Sequence, residues 1–182
     1  MTGLRFSNCS QIVILAKTGI RYTRKRRILS SVLTPVITVK IKRLPHNPDL
    51  PLPQKMSESS AGFDLMAAIE SPVSIAPGET VLIPTGFALG IPPGYEGQVR
   101  PRSGLASNYG LTILNAPGTI DADYRGELKV ILINLGRQPV MLKRGDRIAQ
   151  LIIAPVAPAI LQETQELEPT RRADGGFGHT GV

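Results

Sequence analysis

Residues 111–133 read L-T-I-L-N-A-P-G-T-I-D-A-D-Y-R-G-E-L-K-V-I-L-I. Apolar runs at 111–114 and 128–133 enclose a polar stretch, residues 115–126, and predict two strands joined as a hairpin. The connection carries a carboxylate pair (Asp121, Asp123), an aromatic ring (Tyr124) and an amide (Asn115) beside two glycines, Gly118 and Gly126. A plain two-residue hairpin needs only Asn-Gly or Asp-Gly. Carboxylates crowded beside an aromatic are costly unless they orient water, a metal or a sugar. The tip therefore reads as a small-molecule site. The plainer reading, a polar loop with Asx-type turns, stays open from this block alone.

Outward from the hairpin the same pattern repeats. The 182 residues include 16 Pro and 18 Gly spread along the chain, and short β-branched runs lie between them. This indicates an all-β sandwich or barrel. Ile37, Val39 and Ile41 alternate with Thr38, Lys40 and Lys42, as in a half-buried strand. A Pro- and Ser-rich loop is expected at 43–60. Further strands are expected at 73–75, 80–83, 86–91, 140–142 and 148–155, with turns at Pro77-Gly78 and Pro92-Pro93-Gly94. Lys143-Arg144-Gly145-Asp146 reads as a hairpin turn between the last two. After residue 35 only residues 161–168 predict a short helix.

Charge is unevenly placed. Residues 1–35 hold seven basic residues and no acid; the rest of the chain holds 14 basic and 14 acidic residues. The formal +7 belongs to that segment, which argues against nucleic-acid binding by the core. Cys9 is the only cysteine, which excludes an intrachain disulfide and a Cys-based zinc site and points to a reducing compartment. The apolar run 12–16 is too short to span a bilayer, which takes about 20 residues. It also precedes its basic cluster, the reverse of a secretory signal. Residues 1–35 read either as a transit-like extension or as the product of a start assigned too far upstream, with the chain beginning near Val32 or Val36. A cytoplasmic location is expected, or a mitochondrial or plastid one if the extension is a genuine transit peptide. Neither a membrane nor a nucleic acid is expected as a partner of the core.

Three other blocks carry chemistry. Arg102-Ser103-Gly104, after Pro101, offers a guanidinium, a hydroxyl and accessible amides, which suit a phosphate; residues 105–107 begin a helical turn beside them. A solvated loop is the alternative. Asp64, in Ala61-Gly62-Phe63-Asp64-Leu65, and Gln150, in the run 148–155, interrupt apolar strands. Each either bonds nearby backbone or serves a ligand. The tail, residues 171–182, has the glycines of a disordered segment but keeps Arg172, Phe177 and His179. Such an arm suits a lid over a nucleotide, with Phe177 on a base and Arg172 on phosphate.

Five blocks in order now carry a resemblance: residues 61–65, 101–105, 118–126, 144–150 and 172–181. Together they resemble the five motifs of the homotrimeric dUTP pyrophosphatase (dUTPase) family, over residues 36–182. One departure is Ala173, where members often have Gly. The resemblance implies a jelly-roll-like β-barrel, trimeric, with a swapped C-terminal arm. The division would be an extension (1–35), a barrel (36–168) and a flexible arm (169–182) closing a neighbouring subunit's site. It implies hydrolysis of dUTP to dUMP and pyrophosphate by Mg²⁺-assisted in-line attack of water at the α-phosphate, limiting uracil in DNA and supplying dUMP for thymidylate. Asp121 would orient the water, with Asp64 and Asp123 supporting. Tyr124 would pack the deoxyribose, and Asn115 with backbone around Lys129 would read uracil. Thr119 and Ile120 would also contact substrate. Arg102, Ser103, Gly104 and Gln150 would position phosphates. Arg172, Phe177 and Gly178 would close the site, and Mg²⁺ would be held by substrate phosphates and waters, with no direct protein ligand. A related dCTP deaminase would need a glutamate ten residues after Asp121, where this chain has Ile131. A non-catalytic nucleotide binder, or a nucleic-acid binder acting through residues 1–35, are the other classes weighed.

Overall fold

Ten strands and one short helix lie within residues 36–176, the part of the chain that the computed structural model describes. Expectations for residues 1–35 and for Phe177, Gly178 and His179 fall outside the described residues. The order is β1 (Lys40–Arg43), β2 (Phe63–Met66), β3 (Val73–Ile75), β4 (Thr80–Gly90), β5 (Tyr95–Arg100), α1 (Ser103–Tyr109), β6 (Leu111–Ile113), β7 (Gly118–Ile120), β8 (Glu127–Asn134), β9 (Val140–Leu142) and β10 (Arg147–Pro155). Two four-stranded sheets, β1-β4-β8-β6 and β2-β10-β5-β7, and a two-stranded sheet, β3-β9, make a jelly-roll-like β fold. Their inward side chains meet in one core. Leu128, Val130 and Leu132 of β8 alternate with Glu127, Lys129 and Ile131 and face Ile83, Val99 and Ile148 in the same cluster. Burying each such aliphatic side chain stabilises by roughly 1.5–3 kcal/mol. Among the described residues no helix is long and apolar enough to cross a membrane.

Four local expectations change. The first strand begins at Lys40 rather than Ile37 and is an edge strand with exposed side chains, paired only to β4. The runs at 80–83 and 86–91 are one strand, β4, broken in register but not in direction. Residues 143–146 form a turn, with Asp146 N–H donating to the Lys143 carbonyl at 3.1 Å, but not a hairpin: β9 pairs with β3, and β10 with β2 and β5. The helix expected at 161–168 is absent, since Leu161 (99% exposed) and Leu167 (86%) have no surface to pack on. An isolated helix that short is marginal in water. The helix that forms is α1, whose Leu105 packs against the core and whose end is capped by left-handed Gly110.

The register break in β4 takes the form of a bulge. Pro84 pairs with Lys129 and Ala88 with Glu127, so Thr85, Gly86 and Phe87 stand opposite the single residue Leu128. Gly86 takes φ +71°, a left-handed conformation open to glycine, and a side chain there would collide with Asn47. Several polar groups released by the bulge find partners nearby. Thr85 Oγ1 donates to the Leu128 carbonyl at 2.6 Å, and the fully buried Asn47 donates through Nδ2 to the Thr85 carbonyl at 3.1 Å. Asn47 Oδ1 accepts from Leu50 N–H at 3.1 Å and from Arg144 Nη2 at 3.5 Å. Arg144 also bonds the carboxylate of Asp49 and the carbonyls of His46 and Ile69, pinning the 46–50 loop to the 143–146 turn.

Asn47→Ala strands several of these buried partners and should lower the free energy of unfolding by about 1–3 kcal/mol in urea melts; a loss under about 0.5 would show that water replaces the amide. The hydrogen bond from Arg144 holds the Asp49 carboxyl below its ordinary value of 3.8. A depressed carboxylate stabilises above its unfolded-state pKa, and that contribution disappears as pH falls through the folded one. Asp49→Asn should therefore destabilise at neutral pH and match wild type in strong acid. A deficit that persists there would mean that the effect is not ionic.

Candidate active site

At one end of the β2-β10-β5-β7 sheet the chain gathers cations around a single acid. Asp64 of β2 is nearly buried. Its Oδ2 accepts from Arg147 Nη1 at 3.1 Å and faces Arg102 Nη2 at 3.4 Å. Arg102 Nη1 in turn donates to the Arg147 carbonyl at 3.1 Å. Two guanidinium groups thus share one carboxylate and leave local positive charge that a phosphate can neutralise. Arg102 is the N-cap of α1, and the first bonds of the helix run from the Leu105 and Ala106 amides to its carbonyl. The amides of Ser103 and Gly104 therefore have no intrahelical acceptor. Gln150 Nε2 donates to the Pro101 carbonyl at 3.0 Å, and Gly62 leaves room for it: a Cβ there would stand 2.8 Å from Gln150 Oε1. In this chain Gln150 bonds backbone and holds the corner from which Arg102 projects. Arg147 was not singled out from sequence. Its only signal was its place beside Asp146 at the head of β10, where a charge reads as a solvated strand end.

The second group lies on the hairpin. β6 and β8 pair as the flanking runs predicted, Leu111 with Asn134 and Ile113 with Leu132. Between them the chain crosses to the other sheet, where β7 pairs with β5. Asn115 lies over Gly118, whose added Cβ would sit 3.1 Å from Asn115 Nδ2. Thr119 is exposed and Ile120 packs against the core. A turn follows, closed by Tyr124 N–H to the Asp121 carbonyl at 3.1 Å. Arg125 Nη1 braces it, donating to the carbonyls of Ala122 (2.7 Å) and Tyr124 (2.9 Å). The Asp121 and Asp123 carboxylates are exposed, and among the described residues neither enters an ion pair. Tyr124 folds back over Gly126, where any Cβ would overlap its ring and hydroxyl, and that hydroxyl donates to the Glu127 carbonyl at 3.1 Å. Its ring is still half exposed and open to a flat or sugar-like ligand. Lys129 is exposed on the outer face of β8.

The two groups do not meet within the chain. Gly97 pairs with Ile120, from which the chain runs on to Asp121 toward the start of β5, while Arg100, the last residue of β5, pairs with Gln150. At about 3.3 Å per residue, Asp121 and Arg102 are separated by roughly 15–20 Å along that strand. Arg172 belongs to neither group; it donates through Nε to the Gly175 carbonyl at 2.7 Å in an exposed turn. Ala173 beside it has φ +47° and is the one non-glycine with positive φ among the described residues. Among these residues no three His, Cys, Asp or Glu side chains converge as a metal cage. The donors offered are separate hard carboxylate oxygens, which fit an ion such as Mg²⁺ that keeps waters and takes phosphate oxygens.

Comparison with known proteins places this geometry. The dUTPase family model matches residues 49–181. The deoxyuridine 5'-triphosphate nucleotidohydrolase of Caldanaerobacter subterraneus subsp. tengcongensis is 59% identical over 146 residues, covering 80% of this chain and 99% of that protein. The dUTPase of Staphylococcus bacteriophage 80alpha, solved with dUpNHpp, superposes with a TM-score of 0.69 at 30% identity, over 81% of this chain and 100% of its own. A variant of the dUTPase of phage phi11 of S. aureus, in which a structural Mg(II) ion is coordinated, superposes with a TM-score of 0.65 at 27% identity, over 73% of this chain and 100% of its own.

Arg102→Lys keeps the charge but loses the planar fork. It should weaken binding of inorganic pyrophosphate about tenfold by calorimetry, the scale of one charge-assisted bond. Unchanged affinity would place the anion elsewhere.

Proposed function

The chain belongs to the dUTPase family and is a dUTP-hydrolysing enzyme, and on that premise we propose how it works: water attacks in line at the α-phosphorus, in a homotrimer whose sites each draw on several subunits. The observation that carries this is the separation of the two groups along β5. An anion-holding end and a hairpin end roughly 15–20 Å apart cannot act on one triphosphate from within one chain. A second copy bringing its hairpin to the Arg102 end makes a complete site.

In that site Asp121 orients the attacking water and accepts its proton. Its carboxylate projects from a turn whose backbone Arg125 braces. A positioned general base of this kind contributes about 10²–10⁴ in rate. Tyr124 packs the deoxyribose and leaves no space for a 2'-hydroxyl. Asn115 and the backbone around Lys129 pair the polar edge of uracil, with Thr119 and Ile120 flanking it, and crowding there excludes a 5-methyl group. Arg102, Ser103 and Gly104 hold phosphates. Gln150 serves them through Pro101, and Asp64 keeps Arg102 in place. Asp123 supports the hairpin. Arg172, Phe177 and Gly178 close over the nucleotide as an arm from residues 169–182. Mg²⁺, when bound, neutralises phosphate charge through substrate oxygens and waters. The cellular role implied is to keep uracil out of DNA and to provide dUMP for thymidylate, in the cytoplasm unless residues 1–35 direct import.

The decisive assay is pyrophosphate release from dUTP against dTTP, dCTP and UTP, with Mg²⁺ and with chelator. Only dUTP with Mg²⁺ should turn over quickly. Asp121→Asn should lose about 10³ in kcat while still binding dUpNHpp; wild-type turnover in that variant would remove Asp121 from the mechanism. Truncation after Thr170 should leave the trimer intact by sedimentation and cripple the rate. A truncated enzyme as fast as wild type would mean that the arm is dispensable.

A further inference from the structure

Glu127, the first residue of β8, has no part in the roles assigned above, yet its carboxylate sits at the root of the recognition hairpin and is largely buried, with its side chain 14% exposed. Oε1 accepts from the Gly86 N–H at 2.9 Å and from His46 Nε2 at 2.8 Å, and Oε2 lies 3.8 Å from Lys129 Nζ. Gly86 is the middle one of the three residues that the β4 bulge takes out of the β8 ladder, so without this carboxylate its amide has no ladder acceptor opposite it. The other end of the same residue holds Tyr124, through the bond from its hydroxyl to the Glu127 carbonyl at 3.1 Å. Gly126 lies between them and lets the ring lie flat against the stem.

We infer that Glu127 is a positioning residue for sugar discrimination: its side chain locks the hairpin stem to the Gly86 bulge and to His46, and its backbone carries that fixed position to Tyr124. The inference rests on the reading that Tyr124 packs the deoxyribose. Tyr124 is otherwise half exposed, and the hydroxyl bond gives no fixed reference unless residue 127 is itself immobile. The bulge supplies that reference, because it is tied through Thr85 to Leu128 and through buried Asn47 to the 46–50 loop. Exclusion of a 2'-hydroxyl depends on sub-ångström placement of a ring. A stem free to shift admits ribose long before the fold is lost.

The test is the ratio of kcat/KM for dUTP to kcat/KM for UTP, which is independent of the fraction of enzyme that is folded. Glu127→Ala should lower the ratio about tenfold, chiefly by raising activity on UTP relative to dUTP. Glu127→Gln keeps a carbonyl acceptor for the Gly86 amide and should restore most of it. His46→Ala removes one partner at an exposed loop position and should cause a smaller fall in the same direction; this variant carries the test if Glu127→Ala does not fold. An unchanged ratio in Glu127→Ala, or in His46→Ala where the former cannot be made, overturns the proposal. Wild-type discrimination between dUTP and UTP is the control. If it is absent, the assignment of Tyr124 fails first and this inference falls with it.

Discussion

Three residues of β4 stand opposite one residue of β8, and every polar group freed by that mismatch has to find a partner away from water. The cost of failing is about 1–3 kcal/mol per group, large against the net stability of a domain this size. Asn47 takes the Thr85 carbonyl, Thr85 takes that of Leu128, and Glu127 takes the Gly86 amide. Arg144 then ties Asn47 and its loop to the turn before β10. A local fault in one ladder thus joins a loop, both large sheets and the stem of the hairpin. The hairpin is consequently held at its base by buried polar contacts while its tip stays open.

The anion end uses a different principle. There the chain places two guanidinium groups on one buried carboxylate and stops short of neutrality. Asp64 fixes Arg102 without cancelling it, and Gln150 fixes the backbone corner before it. Fixing donors in advance is worth more than adding donors, because the ordering cost is met on folding rather than on binding. The same logic holds at the other end, where Arg125 braces the turn of Asp121 and Gly126 lets Tyr124 lie down. Each end is prepared in advance by contacts within the chain.

Much of this was readable in the residues. The alternation of Leu128, Val130 and Leu132 announced β8, and the apolar runs around residues 115–126 announced the hairpin. The block Arg102-Ser103-Gly104 begins α1, a helix that the residues suggested only as a single turn from residue 105. Other features were hidden for physical reasons. Pro84-Thr85-Gly86 looks like the end of a strand, because proline and glycine usually mark one. Here Pro84 stays in register and Gly86 lies in a bulge through which β4 keeps running. Arg147 and Glu127 sit at strand ends, where charges are commonly solvated, and nothing local reveals that each has a buried partner far along the chain. The expected helix at 161–168 had the composition for it but no surface to lie against.

Sequence alone determined the β class, the inward face of strands such as β8 and the identity of the chemical groups, because side-chain alternation and residue type are local properties. Tertiary structure alone decided which groups are neighbours: that Asp64 faces Arg102 and Arg147, that β9 and β10 part company after their shared turn, and that Asp121 ends far from Arg102. Strand pairing is a long-range choice of register, and a period of two says which side of a strand is buried without saying which strand lies next to it.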